Sequence, residues 1–478
     1  MARVAIVGGG ISGLAIGWEL MSLGVPREDL VVFEADGQAG GNMRTERAGS
    51  FVLETGPNGF LDNSPPTLDL VHRLGIEDRL LVSNESSAIR YLFCRGKLRK
   101  LPSGPGGMLF SGMLSLSGRL RVFMEPFISK GGFKEESAFD FAARRIGKDA
   151  AATLVDAMVS GVFAGNAREL ELSAAFPKMA AMESEYGGLV RAMIGLAKKR
   201  KREAAQKVAS SKTAAGPAGP GGTLTSFRDG FDELARELAS RLGPSLKTGV
   251  RITALEKGSP HGYRIIDERG ETRFADAVVL AGPAFASSKI VNHLDPELSS
   301  ALGTIPTAPI TVVATAYKLK DVGRQPNGFG FLVPRGHGAR ILGCLWTSSI
   351  WDGRAPDDHV LLRTMVGGAH DPAAIEIDDR DLMDLVAGDL KKTMDLTAKP
   401  VERWIFKHEK GIAQYTPGHT ARVERIEKLL ADHPGVFVSG SSYGGISVNH
   451  CIAEAPAIAT RLMSAVDSTV SQAGVKPS

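Results

Sequence analysis

The chain has 478 residues, of which 43% are hydrophobic and 23% charged, and its formal net charge is only +4. That length suits two or three cored domains, and the near balance of charge excludes a nucleic-acid partner recruited by a basic surface. Cys94, Cys344 and Cys451 are the only cysteines, too few and too scattered for a disulfide framework or a metal site, so cytoplasmic chemistry is the expectation.

The first stretch is the most informative. Residues 3–7 make a short apolar run of the kind that forms a buried parallel strand. The run enters Gly8, Gly9, Gly10, Ile11, Ser12 and Gly13, which fit the spacing G-x-G-x-x-G. Residues 14–23 read as a helix with Gly24 placed to stop it, and residues 30–33 as a second strand ended by Glu34, 21 residues past Gly13. This is a βαβ unit with its acid in place. The first glycine permits a tight turn, the second admits a pyrophosphate to the backbone, and the third lets helix and strand pack closely. Open amides at the helix start hold the phosphates, and Glu34 is placed to accept hydrogen bonds from a ribose. An adenine dinucleotide follows; the unit alone does not choose between NAD and FAD. Glycines in the middle of this stretch, with charges close behind, also argue against a signal peptide.

Gly40, Gly41 and Arg44 come next, the glycines allowing close passage of backbone and the arginine able to face phosphate. Residues 64–81 and most of 114–145 look helical, and a hairpin around Gly96 is expected between them. Residues 102–133 mix Gly, Met, Leu and Phe with few charges, either as core or as a surface that dips into a bilayer. The basic run 197–202 leads into a low-complexity segment read as a flexible loop over 206–222. Strands return at 246–255, 262–267 and 277–281, the last stopping at Gly282 and Pro283. Alternating strands at 311–317, 329–333, 341–347 and 360–366 suggest a mostly antiparallel sheet in an inserted domain. A last buried strand at 435–440 and a helix from Asn449 to about Ala465 close the chain. No internal repeat is visible, and no apolar run reaches the ~18 residues of a spanning helix.

These pieces stand in the order of a two-dinucleotide-binding-motif flavoprotein. Over nearly its whole length the chain resembles the protoporphyrinogen oxidase family, including its coproporphyrinogen-oxidising members. The resemblance is carried by residues 8–13, 54–59 (ETGPNG), 160–166 (SGVFAGN), 328–334 (GFGFLVP), 411–419 (GIAQYTPGH) and 442–451 (SYGGISVNHC). It implies an α/β fold: a Rossmann-like FAD-binding domain of residues 1–95, 223–295 and 404–470, and a mixed-sheet substrate domain at 296–403. A helical, membrane-associating region at 96–205 and the loop 206–222 complete it.

The resemblance also implies noncovalent FAD, contacted by Gly8 to Gly13, Glu34, Ala35, Asn42, Arg44, Gly56, Pro57, Asn58, Gly59, Val250, Ile446, Ser447 and Val448. Arg90 matches a basic residue set against a substrate propionate, and Gly161 a glycine whose carbonyl approaches the macrocycle. Leu332 and Trp351 match an aliphatic and an aromatic clamp. At the last position the family often has Phe-Pro where Trp351 and Asp352 stand, which alters the pocket while keeping a ring. The implied activity is six-electron oxidation of a porphyrinogen to the porphyrin in heme biosynthesis. It takes three flavin-mediated steps, with O₂ or another acceptor, no metal and no catalytic protein base. The candidate partners are the porphyrinogen, the next heme-pathway enzyme and the inner face of a membrane, in a cytoplasmic protein. Protoporphyrinogen and coproporphyrinogen both remain open as substrates. An amine oxidase or carotenoid desaturase shares the cofactor fold, but covalent amine oxidases carry a cysteine in the final glycine motif, and here residues 440–445 contain none.

Overall fold

The computed structural model describes residues 2–102, 107, 111–131, 135–207, 222–258 and 262–474. Most of the expected flexible loop, and parts of the apolar stretch 102–133, lie outside these residues, as do the side chains of 199–207.

Two seven-stranded sheets organise the molecule. In the first, Ala2–Val7 pairs in parallel with Leu30–Phe33 on one side and with Thr272–Leu280 on the other. Leu246–Lys247 extends it beyond Leu30–Phe33, and Val436–Val438 pairs in parallel with Thr272–Leu280. Tyr263–Asp267 and Ile252–Lys257 complete it as antiparallel strands. Val4, Ala5 and Ile6 are all 1% exposed or less, the double-sided burial that a near-continuous apolar run encodes. The helix Ile11–Ser22 lies against this sheet, packed on the long final helix Val448–Gly474 through one shared core.

The second sheet runs in the order Glu402–Ala413, Thr307–Lys318, His359–Gly367, Gly343–Leu345, Gly330–Leu332, Arg90–Cys94 and Lys97–Lys100. All neighbours are antiparallel except Gly330–Leu332 with Arg90–Cys94. One face is sealed by the helix Asp379–Met394 over Phe93, Phe331, Val366 and Val313. Helices Leu116–Phe123, Ala138–Ile146, Asp156–Phe163, Pro177–Tyr186 and Leu189–Lys207 form a separate cap.

Several expectations change. The helix read over 64–81 is Pro65–Leu74, ended by Gly75 at φ 70°, with a short strand Leu80–Val82 beyond it. Pro126 and Gly131 fall where 114–145 would have to continue, and two short helices replace one. The strand over 246–255 is two strands, split where Gly249 adopts φ 67°. The hairpin at 90–100 and the strand Glu402–Ala413, expected largely with the cofactor domain, are edge segments of the second sheet. The inner strand of the hairpin pairs with Gly330–Leu332 and Glu402–Ala413 pairs with Thr307–Lys318, contacts that adjacency in sequence does not announce.

Candidate functional site

Two surfaces come together, and glycine shapes the first. Gly8 has φ +116°, and a Cβ at Gly13 would lie 1.9 Å from the Gly8 carbonyl oxygen, so both positions exclude a side chain. A Cβ at Gly10 meets nothing nearer than Gly41 at 3.9 Å, which leaves space in front of the helix start. No side chain caps Ile11–Ser22 at Gly10. Open amides above an open glycine turn suit a pyrophosphate.

Glu34 accepts hydrogen bonds from the Gly9 and Asp36 amides, each at 2.8 Å, which clamps the acid beside the turn. Gly40 donates to the Gly9 carbonyl, Val250 donates to the Glu34 carbonyl, and Ala35 is half-buried between them. Arg44 pairs with Asp36 at 2.6 Å and donates to the Gly41 carbonyl, so its charge is already answered on the protein. At the far end, Ser447 accepts from the His450 amide in the first turn of Val448–Gly474, with Ile446 half-buried before it. These segments converge because the first and last strands flank Thr272–Leu280 in one parallel sheet.

Between them runs the loop Gly56, Pro57, Asn58 and Gly59, half-buried throughout. A Cβ on Gly56 would lie 2.0 Å from the Asn42 carbonyl oxygen, so the two segments touch at backbone distance. Glu54, which leads into the loop, is buried. Its carboxylate accepts from Thr45 and from the Phe231 amide, and it pairs with Arg354 at 3.5 Å. Burial pushes its pKa up, and Arg354 draws it back down.

The second surface lies on the face of the second sheet opposite the helix Asp379–Met394. Partners directly opposite share a face. Arg90, Gly330, Leu345 and Arg363 therefore make one row, and Leu92, Leu332, Gly343 and Met365 the next. Gly161 in Asp156–Phe163 stands over this face, where an added Cβ would come within 2.8 Å of Leu332 Cδ1. Gly161 is exposed and Leu332 half-buried, so the apolar strip they form is reachable.

Arg90 lies at the edge of that strip, stacked over the Phe329 ring at 5.1 Å. The protein packed around it desolvates its guanidinium and lowers its pKa, which for arginine still leaves it charged. It has no carboxylate partner among the described residues. Trp351 does not join the strip. It is 1% exposed, packed with Ala164, Leu345 and Met365, and it touches a small cavity of about 10 Å³ lined also by Asn58 and Arg363. Phe329, half-buried against that same cluster, presents the ring that Arg90 meets.

Sequence reasoning passed over Phe329, Arg363 and His408. The signal for Arg363 was present: an arginine inside the apolar strand His359–Gly367 needs a reason to be there. Among the described residues there is no cluster of His, Cys, Asp and Glu able to hold a metal ion.

A profile of the flavin containing amine oxidoreductase family matches residues 11–463. The coproporphyrinogen III oxidase of Bacillus subtilis (strain 168) is 28% identical over 464 residues, covering 94% of this chain and 95% of that protein. The chloroplastic protoporphyrinogen oxidase of Oryza sativa subsp. japonica is 30% identical over 469 residues, covering 94% and 86%. A crystal structure from Exiguobacterium sp. 255-15 superposes with a TM-score of 0.80 at 23% identity, covering 98% of this chain and 99% of that one.

Proposed function

The chain belongs to the flavin containing amine oxidoreductase family, and from that premise we propose that it is an FAD-dependent porphyrinogen oxidase of heme biosynthesis. The observation that carries this reading is Arg90. It is a cation without an acidic partner among the described residues, set beside an apolar strip of Leu92, Leu332 and Gly161. A porphyrinogen is a large apolar ring with carboxylates at its edge, and a strip with one cation at its margin matches that distribution. An amine would call for an acidic or aromatic cage, and Arg90 is the wrong sign for it. The two curated relatives described above, named for porphyrinogen oxidation, support the same reading.

The glycine cradle fits FAD, with residues 8–13, Glu34, Ala35, Asn42, Val250 and 446–448 around it and Gly56 to Gly59 alongside. When bound, the cofactor supplies two-electron acceptance from carbon, used three times per product, with O₂ as the terminal acceptor. The residues of the chain bind and orient. Arg90 fixes a propionate, Leu332 and Gly161, packed against each other, offer the apolar surface on which the ring lies, and Trp351 backs that surface from the core. The first sheet forms the cofactor unit and the second the substrate unit. Flavin attachment is read as noncovalent, because residues 440–445 hold no cysteine and Cys451, beyond them, is buried.

No helix among the described residues is long and apolar enough to cross a membrane. Leu116, Leu120 and Phe127 are nevertheless 80%, 66% and 85% exposed, and Met193 and Ile194 are exposed on the neighbouring helix. This surface is the proposed peripheral contact with the inner face of a membrane, and Lys130, Arg191 and Lys198 are exposed on the same segments of chain.

The deciding experiment is anaerobic reduction of the bound flavin. Protoporphyrinogen or coproporphyrinogen should bleach its absorbance, whereas a primary amine or a carotene precursor should not. Absence of bleaching by both porphyrinogens overturns the reading.

A further inference from the structure

The cofactor loop is held from two sides, and one of them lies outside its own unit. Three consecutive carbonyls at its start are each taken by a side chain from the second sheet. Arg363 Nε donates to the Glu54 carbonyl at 3.0 Å, His408 Nε2 meets the Thr55 carbonyl at 2.9 Å, and Arg363 Nη2 donates to the Gly56 carbonyl at 2.6 Å. The opposite side of the loop is closed by backbone: the Thr55 amide donates to the Arg44 carbonyl, and Gly56 abuts the Asn42 carbonyl.

Arg363 and His408 project from one sheet face, two rows apart, with Met365, Val312 and Phe406 in the row between them. Arg363 stands opposite Leu345 and Ala314, and His408 opposite Ile310, which pairs with Gly367 on the arginine's own strand. The remaining nitrogen of Arg363, Nη1, reaches only the Met365 sulfur, at 3.9 Å. Its guanidinium therefore spends its strong bonds on two carbonyls, and burial brings its pKa down to about 10, still protonated at working pH. A carbonyl only accepts, so the bond to Thr55 requires a proton on His408 Nε2. Burial first, then Arg363 and Arg44, lower the pKa of His408, and the neutral Nε2–H ring meets that requirement.

We propose that Arg363 and His408 are positioning residues that hold the cofactor loop in shape from the substrate sheet. A planar two-pronged donor suits this task and a lysine does not, since two carbonyls at fixed separation need a rigid fork. The strand that carries Arg363 is one strand removed from the pair that carries Leu332 and Arg90, so the loop and the substrate strip share one rigid support. The proposal rests on the reading that residues 56–59 face FAD.

The test is FAD titration of apoprotein, followed by steady-state kinetics at saturating FAD. R363M should weaken FAD binding about ten- to a hundredfold, the loss expected for hydrogen bonds from a charged donor. R363K should recover little of it despite keeping the charge. With FAD saturating, R363M should lower kcat and leave the porphyrinogen KM unchanged, the reverse of what is expected for Arg90. H408Q, whose amide can donate to Thr55, should bind FAD more tightly than H408L. Should R363M not fold, R363K and the two His408 variants decide. Unchanged FAD affinity in folded R363M or R363K, or equal affinity in H408Q and H408L, overturns the proposal. The titration uses no porphyrinogen, so a failure of porphyrinogen oxidation leaves it intact, and its own failure leaves the oxidase reading standing.

Discussion

Arg90 and Arg363 lie in one row of one sheet face, three strands apart, and the difference between them is what each is bonded to. Arg363 is committed to carbonyls, while Arg90 has only the face of Phe329. The available charge is the one proposed to meet substrate. Replacing Arg90 with alanine should cost about 1.5–3 kcal/mol of binding, roughly ten- to a hundredfold in kcat/KM, with FAD content unaltered. Arg90→Lys should restore part of the loss, because the charge returns without the fork. Steady-state kinetics on both porphyrinogens is the check, and wild-type values for Arg90→Ala would take the residue out of the site. The hairpin that carries Arg90 was legible because its strands and turn are local, whereas Arg90 itself was singled out by the family resemblance. Its ring partner Phe329 was not legible: the two meet only through the pairing of Arg90 with Gly330, across 240 residues of chain.

Among the elements, the helical cap depends on a buried ion network. Arg145 and Glu125 are both 0% exposed and paired, and Glu125 also accepts from the Leu189 and Val190 amides, so one carboxylate both neutralises the arginine and caps the helix Leu189–Lys207. Glu125→Ala would strand a buried guanidinium, and removing one partner of such a pair typically costs about 3–5 kcal/mol. Limited proteolysis should then cut within 115–207 at a lower temperature than in the parent chain, while FAD remains bound. Glu183, held chiefly by hydrogen bonds from Arg144, has its pKa lowered from 4.5. A lowered carboxylate pKa contributes stability that is complete above about pH 4.5 and lost as the pH falls further. The cap is therefore expected to loosen as the pH falls below that range, and Glu183→Gln should remove that portion of the pH dependence.

This scale also shows where reading the chain was easy. The βαβ unit emerged because its glycines, helix and acid are contiguous, and the antiparallel strands emerged from their alternation. The helix Asp379–Met394, capped by Asp378, was overlooked because Gly388 and a run of charges blur its apolar face. Boundaries set by long-range pairing had no local signal at all.

For the molecule as a whole, the exposed apolar face of the cap is its most anomalous surface. Leu116 and Leu120 are one turn apart on their helix and Phe127 is exposed in the turn after it, where isolated exposed leucines would need no comment. Changing all three to serine should leave flavin reduction by porphyrinogen in detergent unaffected. It should also abolish flotation with anionic liposomes, provided that lipid covers this face. Flotation equal to that of the parent chain would assign these side chains to something other than a bilayer.

The order of strands in the first sheet has one further consequence, for how the chain is made. Ala2–Val7 pairs with Thr272–Leu280, and that strand in turn waits for Val436–Val438. At a synthesis rate of about 5–20 residues per second, the last pairing lags the one before it by roughly 8–30 s. During that interval the nascent chain presents an unpaired hydrophobic strand edge, in a topology dominated by distant contacts that form slowly. Expression yield should therefore respond more to chaperone supply and growth temperature than to any single core substitution.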